Sequence, residues 1–406
     1  MRSEKVKCTL GLTLFVVLVG PQLGAQENRS GANRKQTHYI VKALSTLGGT
    51  QGVGEAITER GWISGAANLA GDTTQHAALW RDLRITDLGT LGGPNSRVVG
   101  GVKNNHGLVA GGSETADPDP LGETVCTTFV FGFSGQPLIC LGFVWQDGVM
   151  TALPTLGGNN GFALGGVNNR GQIAGFAENS TRDPACPSPQ RLDFEAVVWG
   201  PRSGQIQELP PYAGDTVGFA QEINDHGQAV GATGLCSAFS TAITRAVLWQ
   251  DGSAIDLGNL GSQLFNFAIT INERGQVAGA AGVTGDATWH AFFWDNGVMR
   301  DLGVLAGDVM SQSNGMNNKG QVVGTSCVDV QFSNCHAFIW QNGVMTDLND
   351  LIPHNSSLQL FIANDINDRG EIAGAAIDLV TGAGPGFVAF PCDEMHQDLE
   401  GCETWR

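Results

Sequence analysis

From about residue 38 to residue 390 the chain is a succession of short apolar runs separated by breaks rich in Gly, Asn and Asp. Short runs bounded by turn residues predict strands joined by tight turns, not helices. The breaks are of recurring kinds. One reads Ile-Asn-x-x-Gly-x-Val-x-Gly and occurs seven times, as 57–65, 103–111, 167–175, 223–231, 271–279, 316–324 and 366–374. Here Asn can bond its own turn backbone and the central Gly can take the left-handed conformation, so the pattern predicts two alternating runs joined by a hairpin. A second kind reads His-Ala-Phe-x-Trp, a short turn, then x-Met-x-Asp-Leu-Gly. It is clearest at 290–303 and 336–349, with degenerate copies starting at His76, Gly142, Glu195 and Arg245. Its turns are Asp147-Gly148, Asp251-Gly252, Asn296-Gly297 and Asn342-Gly343, the strongest short hairpin signal because both central residues need φ > 0. A third element, Thr-Leu-Gly-Gly, stands at 46–49, 90–93 and 155–158 and decays later to 259–262 and 304–307.

Each repeat therefore holds two hairpins and four short strands, and successive central glycines lie 45 to 64 residues apart. That is the signature of a propeller blade. The ends complement one another. Tyr39–Leu44 stands where the Met-x-Asp-Leu strand belongs, without its hairpin partner, and the missing His-Ala-Phe-x-Trp strand appears only as Gly386–Phe390. The pattern predicts an all-β, seven-bladed β-propeller with four antiparallel strands per blade, closed by pairing the N- and C-terminal strands, since closure removes the exposed edges. In such a meander both tight turns fall on one face of the disc, and all the length variation falls on the other. The long connections are Gly111–Trp145, Gly175–Trp199 and Gly231–Trp249. Variable loops on a rigid scaffold are where binding sites usually reside.

Residues 1–25 read as an export signal: Arg2, Lys5 and Lys7, an apolar stretch from Cys8 to Gly20, and small residues Gly24 and Ala25 before Gln26. The expected organisation is a signal at 1–25, a leader at 26–37, the propeller at 38–390 and a tail at 391–406. Nine cysteines are present; without Cys8 the count is even, which in an exported chain suggests disulfides. Proximity pairs Cys126 with Cys140, Cys327 with Cys335 and Cys392 with Cys402, and elimination leaves Cys186 with Cys236. The net charge of −17 opposes nucleic acid and anionic membranes as partners. No later stretch is long and apolar enough to span a bilayer, and the expected state is a secreted or periplasmic monomer.

These repeats resemble the HAF-type extracellular repeat family, named for the His-Ala-Phe run kept here at 290–292 and 336–338. The resemblance covers 38–390. It implies an exported bacterial protein with a propeller fold, and no activity that could be carried to particular residues.

The candidate chemistry is modest. The recurring His76, His290, His336 and Asp87, Asp256, Asp301, Asp347 could form metal or acid–base sets, but a residue needed once for catalysis would not recur in most blades, so they read as strand-to-strand hydrogen bonds. The turns at 224–227 and 367–370 are too poor in oxygen ligands for calcium loops. Trp80, Trp145, Trp199, Trp249, Trp294 and Trp340 share one repeat position and read as core packing between blades. Motifs of hydrolases, zinc proteases and phosphate binders are missing, and neither a cofactor nor a metal is indicated. The expected function is a non-catalytic extracellular binding or scaffold module acting on a glycan, envelope component or protein through its variable-loop face. The candidate face residues are Glu114, Asp117, Asp119, Glu123, Asp183, Asp193 and Trp289. The alternative is a propeller hydrolase or lyase with its site at the channel mouth of that face.

Overall fold

The computed structural model describes residues 37–101, 104–126, 136–239, 244–285, 288–332, 334–396 and 399–402; the expected signal and nearly all of the leader lie outside them. The described strands form seven four-stranded antiparallel sheets. Six are consecutive meanders at 48–87, 92–152, 157–208, 217–256, 267–301 and 310–347, here blades 1 to 6. In blade 7 the strands Leu358–Ile366, Ile372–Asp378 and Gly386–Pro391 are completed by Tyr39–Ala43 from the other end of the chain. Tyr39 pairs with Pro391 and Ala43 with Phe387, so the disc is closed as the repeat count predicts. Tyr39 is buried and anchors the closing strand. Among the described residues no helix is long and apolar enough to cross a membrane.

The turn chemistry explains the hairpins. Asp147, Asp251, Asn296 and Asn342 have φ between 49° and 54°, and the Gly after each is also positive. All seven central glycines of the first element take φ between 71° and 92°. Two blades depart from this at the outer turn: in blade 1 Asp82-Leu83 adopts the same positive φ values without a Gly, and in blade 3 residues 200–205 form a longer loop.

Packing between blades uses the recurrent tryptophans. Trp80, Trp145, Trp199 and Trp249 are buried, and large aromatics of this kind supply much of the apolar area removed from water. Three of their indole N–H groups donate to backbone carbonyls of the connection entering the same blade: Trp80 to Ser45 at 3.0 Å, Trp199 to Pro154 at 2.8 Å and Trp249 to Pro210 at 2.7 Å.

The blades are also laced together at the tight-turn end of the axis. The side-chain oxygen of each turn Asn accepts N–H groups of its own turn, as in Asn224 from His226 and Gln228. Its Nδ2 donates onward to the backbone carbonyl of the equivalent residue in the next blade. This runs Asn104 to Asn168, Asn168 to Asn224, Asn224 to Asn272, Asn272 to Asn317, Asn317 to Asn367 and Asn367 to Thr58, at 2.8 to 3.2 Å. Thr58 has no amide to continue the belt into blade 2. A second ring joins the following residues through N–H donors, among them Asn169 to Asp225, Asn318 to Asp368 and Asp368 to Glu59. The acidic turn residues are thus hydrogen-bond acceptors between blades.

All four expected disulfides are present: Cys126–Cys140, Cys186–Cys236, Cys327–Cys335 and Cys392–Cys402.

Candidate functional site at the variable-loop end of the axis

Inner strands run from the variable face toward the tight-turn face, so their early residues line the axis near the variable loops. A cavity of about 1130 Å³ occupies this region. Its walls come from a repeated irregularity. In blades 1, 4, 5, 6 and 7 the pairing of the first two strands skips one residue three positions before the turn residue: Glu55, Gln221, Ile269, Asn314 and Asn364. Such a bulge re-aims the extra side chain, and all five line the cavity. Two positions earlier stand Val53, Phe219, Phe267, Gln312 and Ile362, also on its wall.

The lining is amide and aromatic. Phe219 and Phe267 stack at 6.1 Å, nearly parallel. Asn314 and Asn364 donate to the Ala363 and Gly54 carbonyls of the following blades at 3.1 and 3.0 Å, which fixes the floor. Nearer the mouth, the amides of Gln359 and Asn334 make no hydrogen bond with other described residues and are exposed. The charged pair on the wall is internal, with Arg97 donating to Glu55 across the seam of blades 1 and 2; His336 Nδ1 faces Asp308 at 3.4 Å. Among the described lining residues one carboxylate is present, whereas glycoside hydrolysis needs a convergent pair.

At the rim, Trp289 lies between Phe265 and Phe332, with ring centroids 4.4 and 6.1 Å away. Phe332 lines the cavity and is 48% exposed. It sits in the short loop closed by Cys327–Cys335.

The face residues expected from the sequence occupy a different part of the same face. None of the seven lines the axial cavity. Trp289 is buried but touches Phe332, which does line it. The carboxylates belong mainly to a corner above blades 2 to 4. There Cys126–Cys140 and Cys186–Cys236 pack with Phe162, Phe176 and Phe194 into a small apolar cluster. Beside it Asp119, Glu123 and Glu178 are buried. Asp119 Oδ1 accepts from the Leu121 and Glu123 N–H groups, and its Oδ2 from the Asn160 amide. Glu123 Oε1 accepts from the N–H groups of Arg191 and Leu192, while its Oε2 is buried without a partner. Glu178 Oε2 takes bonds from the Asn160 backbone and side chain, and Gln190 donates to its Oε1. Burial, and then the charge of Glu123, push the Glu178 carboxyl up to about 7. Burial likewise pushes Glu195 up to about 8, helped by Glu208 and Asp193. Glu114 is buried against the Asn95 amide, and Asp117 is exposed. Asp183 and Asp193 lie beside the Cys186–Cys236 sulfurs. Those sulfurs are bonded to each other and cannot act as thiolates, and two carboxylates do not complete a divalent site.

The recurring His and Asp do join strands inside blades in two cases, His76 with Asp87 and His290 with Asp301, each at 2.9 Å. Arg245 with Asp256 replaces the pair in blade 4. In blade 6 the pattern breaks, because Asp347 instead accepts from the Asn349 backbone and side chain at the start of the 3-10 turn Leu348–Leu351. His336 then faces Asp308. The sequence reading put a site at the channel mouth only in its alternative and named no residue there; the polar residue three places before four of the turns, Glu55, Gln221, Asn314 and Asn364, visible when the repeats are aligned, was the available signal.

No family model matches the chain, and no curated protein matches it. Among solved structures it is similar to the β-propeller domain of the Trilobed protease from Pyrococcus furiosus, described as having an open velcro topology (TM-score 0.48, 8% identity, 86% of this chain and 95% of that one). It is also similar to Pyrococcus horikoshii acylaminoacyl peptidase (0.45, 14%, 79% and 49%) and to a Mycobacterium tuberculosis puromycin-hydrolyzing peptidase (0.46, 9%, 87% and 56%). The chain spans about half the length of these two peptidases. The propeller assignment rests on the strand pairing of this chain itself.

Proposed function

We propose that this chain is a secreted, non-catalytic binding module whose ligand enters the axial cavity from the variable-loop face. The observation that carries the reading is the bulge repeated in five inner strands, which turns one side chain per blade into a common cavity. Bulges recur where a side chain must be re-aimed, and all five extra side chains here line one cavity. The four disulfides and the HAF-type repeats support an exported protein. The internal charge pair of the wall favours binding over hydrolysis or lyase chemistry. The test is a screen of immobilised glycans and peptides against the wild-type chain and Ile269→Trp, which adds bulk inside the cavity without removing a hydrogen bond. Ligands retained by the wild type and lost by the variant are expected. Ligands bound equally by both place recognition elsewhere and end the axial reading.

A further inference from the structure

Resting on that reading, we infer that the cavity takes the uncharged end of a saccharide chain, with one sugar ring seated on Phe332. Three features of the wall converge on this class. Amides at Gln51, Gln312, Asn334 and Gln359 line the upper wall; an amide both donates and accepts, as a sugar hydroxyl does. Between them stand aromatic faces: the stacked Phe219 and Phe267 within and Phe332 at the rim. A pyranose offers this mixture in return, a ring face of C–H groups edged by hydroxyls. Neither group alone selects a sugar; their alternation around one cavity does.

Charge excludes the main competitors. The Glu55–Arg97 pair is internally satisfied, and His336 is held by Asp308. A peptide terminus or a uronate entering here would lose water without gaining a counter-charge, a heavy cost for an ion. The net charge of −17 further opposes anionic ligands. The volume of about 1130 Å³ exceeds a usual small-molecule pocket, which suits several linked units rather than one.

The rim is built to present a ring. Phe332 has φ +58° and Phe265 φ +59°, a backbone region that bulky residues rarely occupy and that persists only where the surroundings hold it. Cys327–Cys335 closes the Phe332 loop, and Trp289 fills the space between the two phenylalanines. The exposed aromatic is thus held over the mouth rather than folded away.

The experiment is titration calorimetry of the full, disulfide-bonded chain with neutral cello-, xylo-, malto- and chito-oligosaccharides of graded length, oligogalacturonides, and capped and uncapped peptides. Tryptophan emission provides a second readout, since Trp289 adjoins Phe332. Saturable binding of a neutral series is expected, tightening with length and then levelling. Phe332→Ala and Gln359→Ala are each expected to weaken it about tenfold with unchanged melting, and Ile269→Trp to abolish it. Two results overturn the inference. One is neutral-saccharide binding that survives all three variants. The other is no neutral-saccharide binding while peptides or uronates bind and are blocked by Ile269→Trp; the axial binding reading then stands and the saccharide assignment falls.

Discussion

At the tight-turn end of the axis Asn272 commits every hydrogen-bonding group of its amide: Oδ1 accepts from Arg274 and Gln276, and Nδ2 donates to Gln276 Oε1 and to the Asn317 carbonyl of the next blade. At the other end Gln359 faces the cavity with its amide uncommitted among the described residues. Both are carboxamides near the same axis, one buried and one exposed. A buried amide must be bonded within the protein or be costly, whereas an exposed one is satisfied by water and is free to exchange that water for a ligand. The scaffold divides its two ends in this way: one closes the ring and the other is left open to chemistry.

The largest expected effect breaks the first half of that contrast. Asn272→Ala removes four hydrogen bonds and strands the turn N–H groups, while the Asn317 carbonyl keeps only the Gly320 N–H, a loss of about 3–4 kcal/mol at roughly 1 kcal/mol per bond. Gln359→Ala is expected to change stability by less than about 0.5 kcal/mol, as exposed substitutions usually do. Urea unfolding of the two variants checks both, provided the slope is unchanged. Equal losses would mean that the open end also holds the ring together.

A smaller effect concerns the stapled corner beside the cavity. Glu178 has its folded value raised to about 7 by burial and by Glu123, above the ordinary carboxyl value near 4.5. The contribution of its protonated form is therefore complete below about pH 4.5 and is lost as pH rises through about 7, by up to about 3 kcal/mol. Glu195, raised to about 8, adds in the same direction. Melting temperature is expected to fall between pH 5 and 8, and Glu178→Gln to flatten that fall. An unchanged slope in the variant would show that Glu178 is ionised in the folded chain across this range.

Blade number, closure and disulfide pairing were legible because each is written locally. An Asn-Gly or Asp-Gly pair set between two apolar runs favours φ > 0, and Cys327 and Cys335 can hardly avoid one another. The incomplete repeats at Tyr39–Leu44 and Gly386–Phe390 made closure a matter of matching halves. The Asn belt was only half legible. Asn224 bonding its own turn follows from the motif, but its bond to the Asn272 carbonyl depends on how neighbouring blades are spaced. The cavity was less legible still, since a bulge of one residue decides whether Gln221 or Asn364 faces the axis, and alternation alone does not locate a bulge. His336 left its expected partner because Asn349 occupies the place of the turn glycine seen at Gly303, and its side chain takes the Asp347 carboxylate. Topology put the seven expected face residues on the variable-loop side, but distance from the axis is a property of the blade, not of the motif.

The smallest effect probes the one break in the belt. Thr58 accepts from the Arg60 and Trp62 N–H groups at 3.3 and 3.2 Å, but its short hydroxyl makes no bond to Asn104, so blades 1 and 2 lack the link that joins the other six pairs. Thr58→Asn keeps the acceptor and supplies the missing donor. The gain should be only about 0.5–1 kcal/mol, the net worth of one hydrogen bond, because the Glu55–Arg97 pair already ties this seam on the cavity side. The gain should also persist when ligand-facing residues such as Gln359 are altered, since sites this independent add. If Thr58→Asn is neutral, the belt is held by each turn's own bonds and the links between blades merely follow from their spacing. The contrast between the two ends would then be one of local turns against open loops, with no ring-wide network behind it.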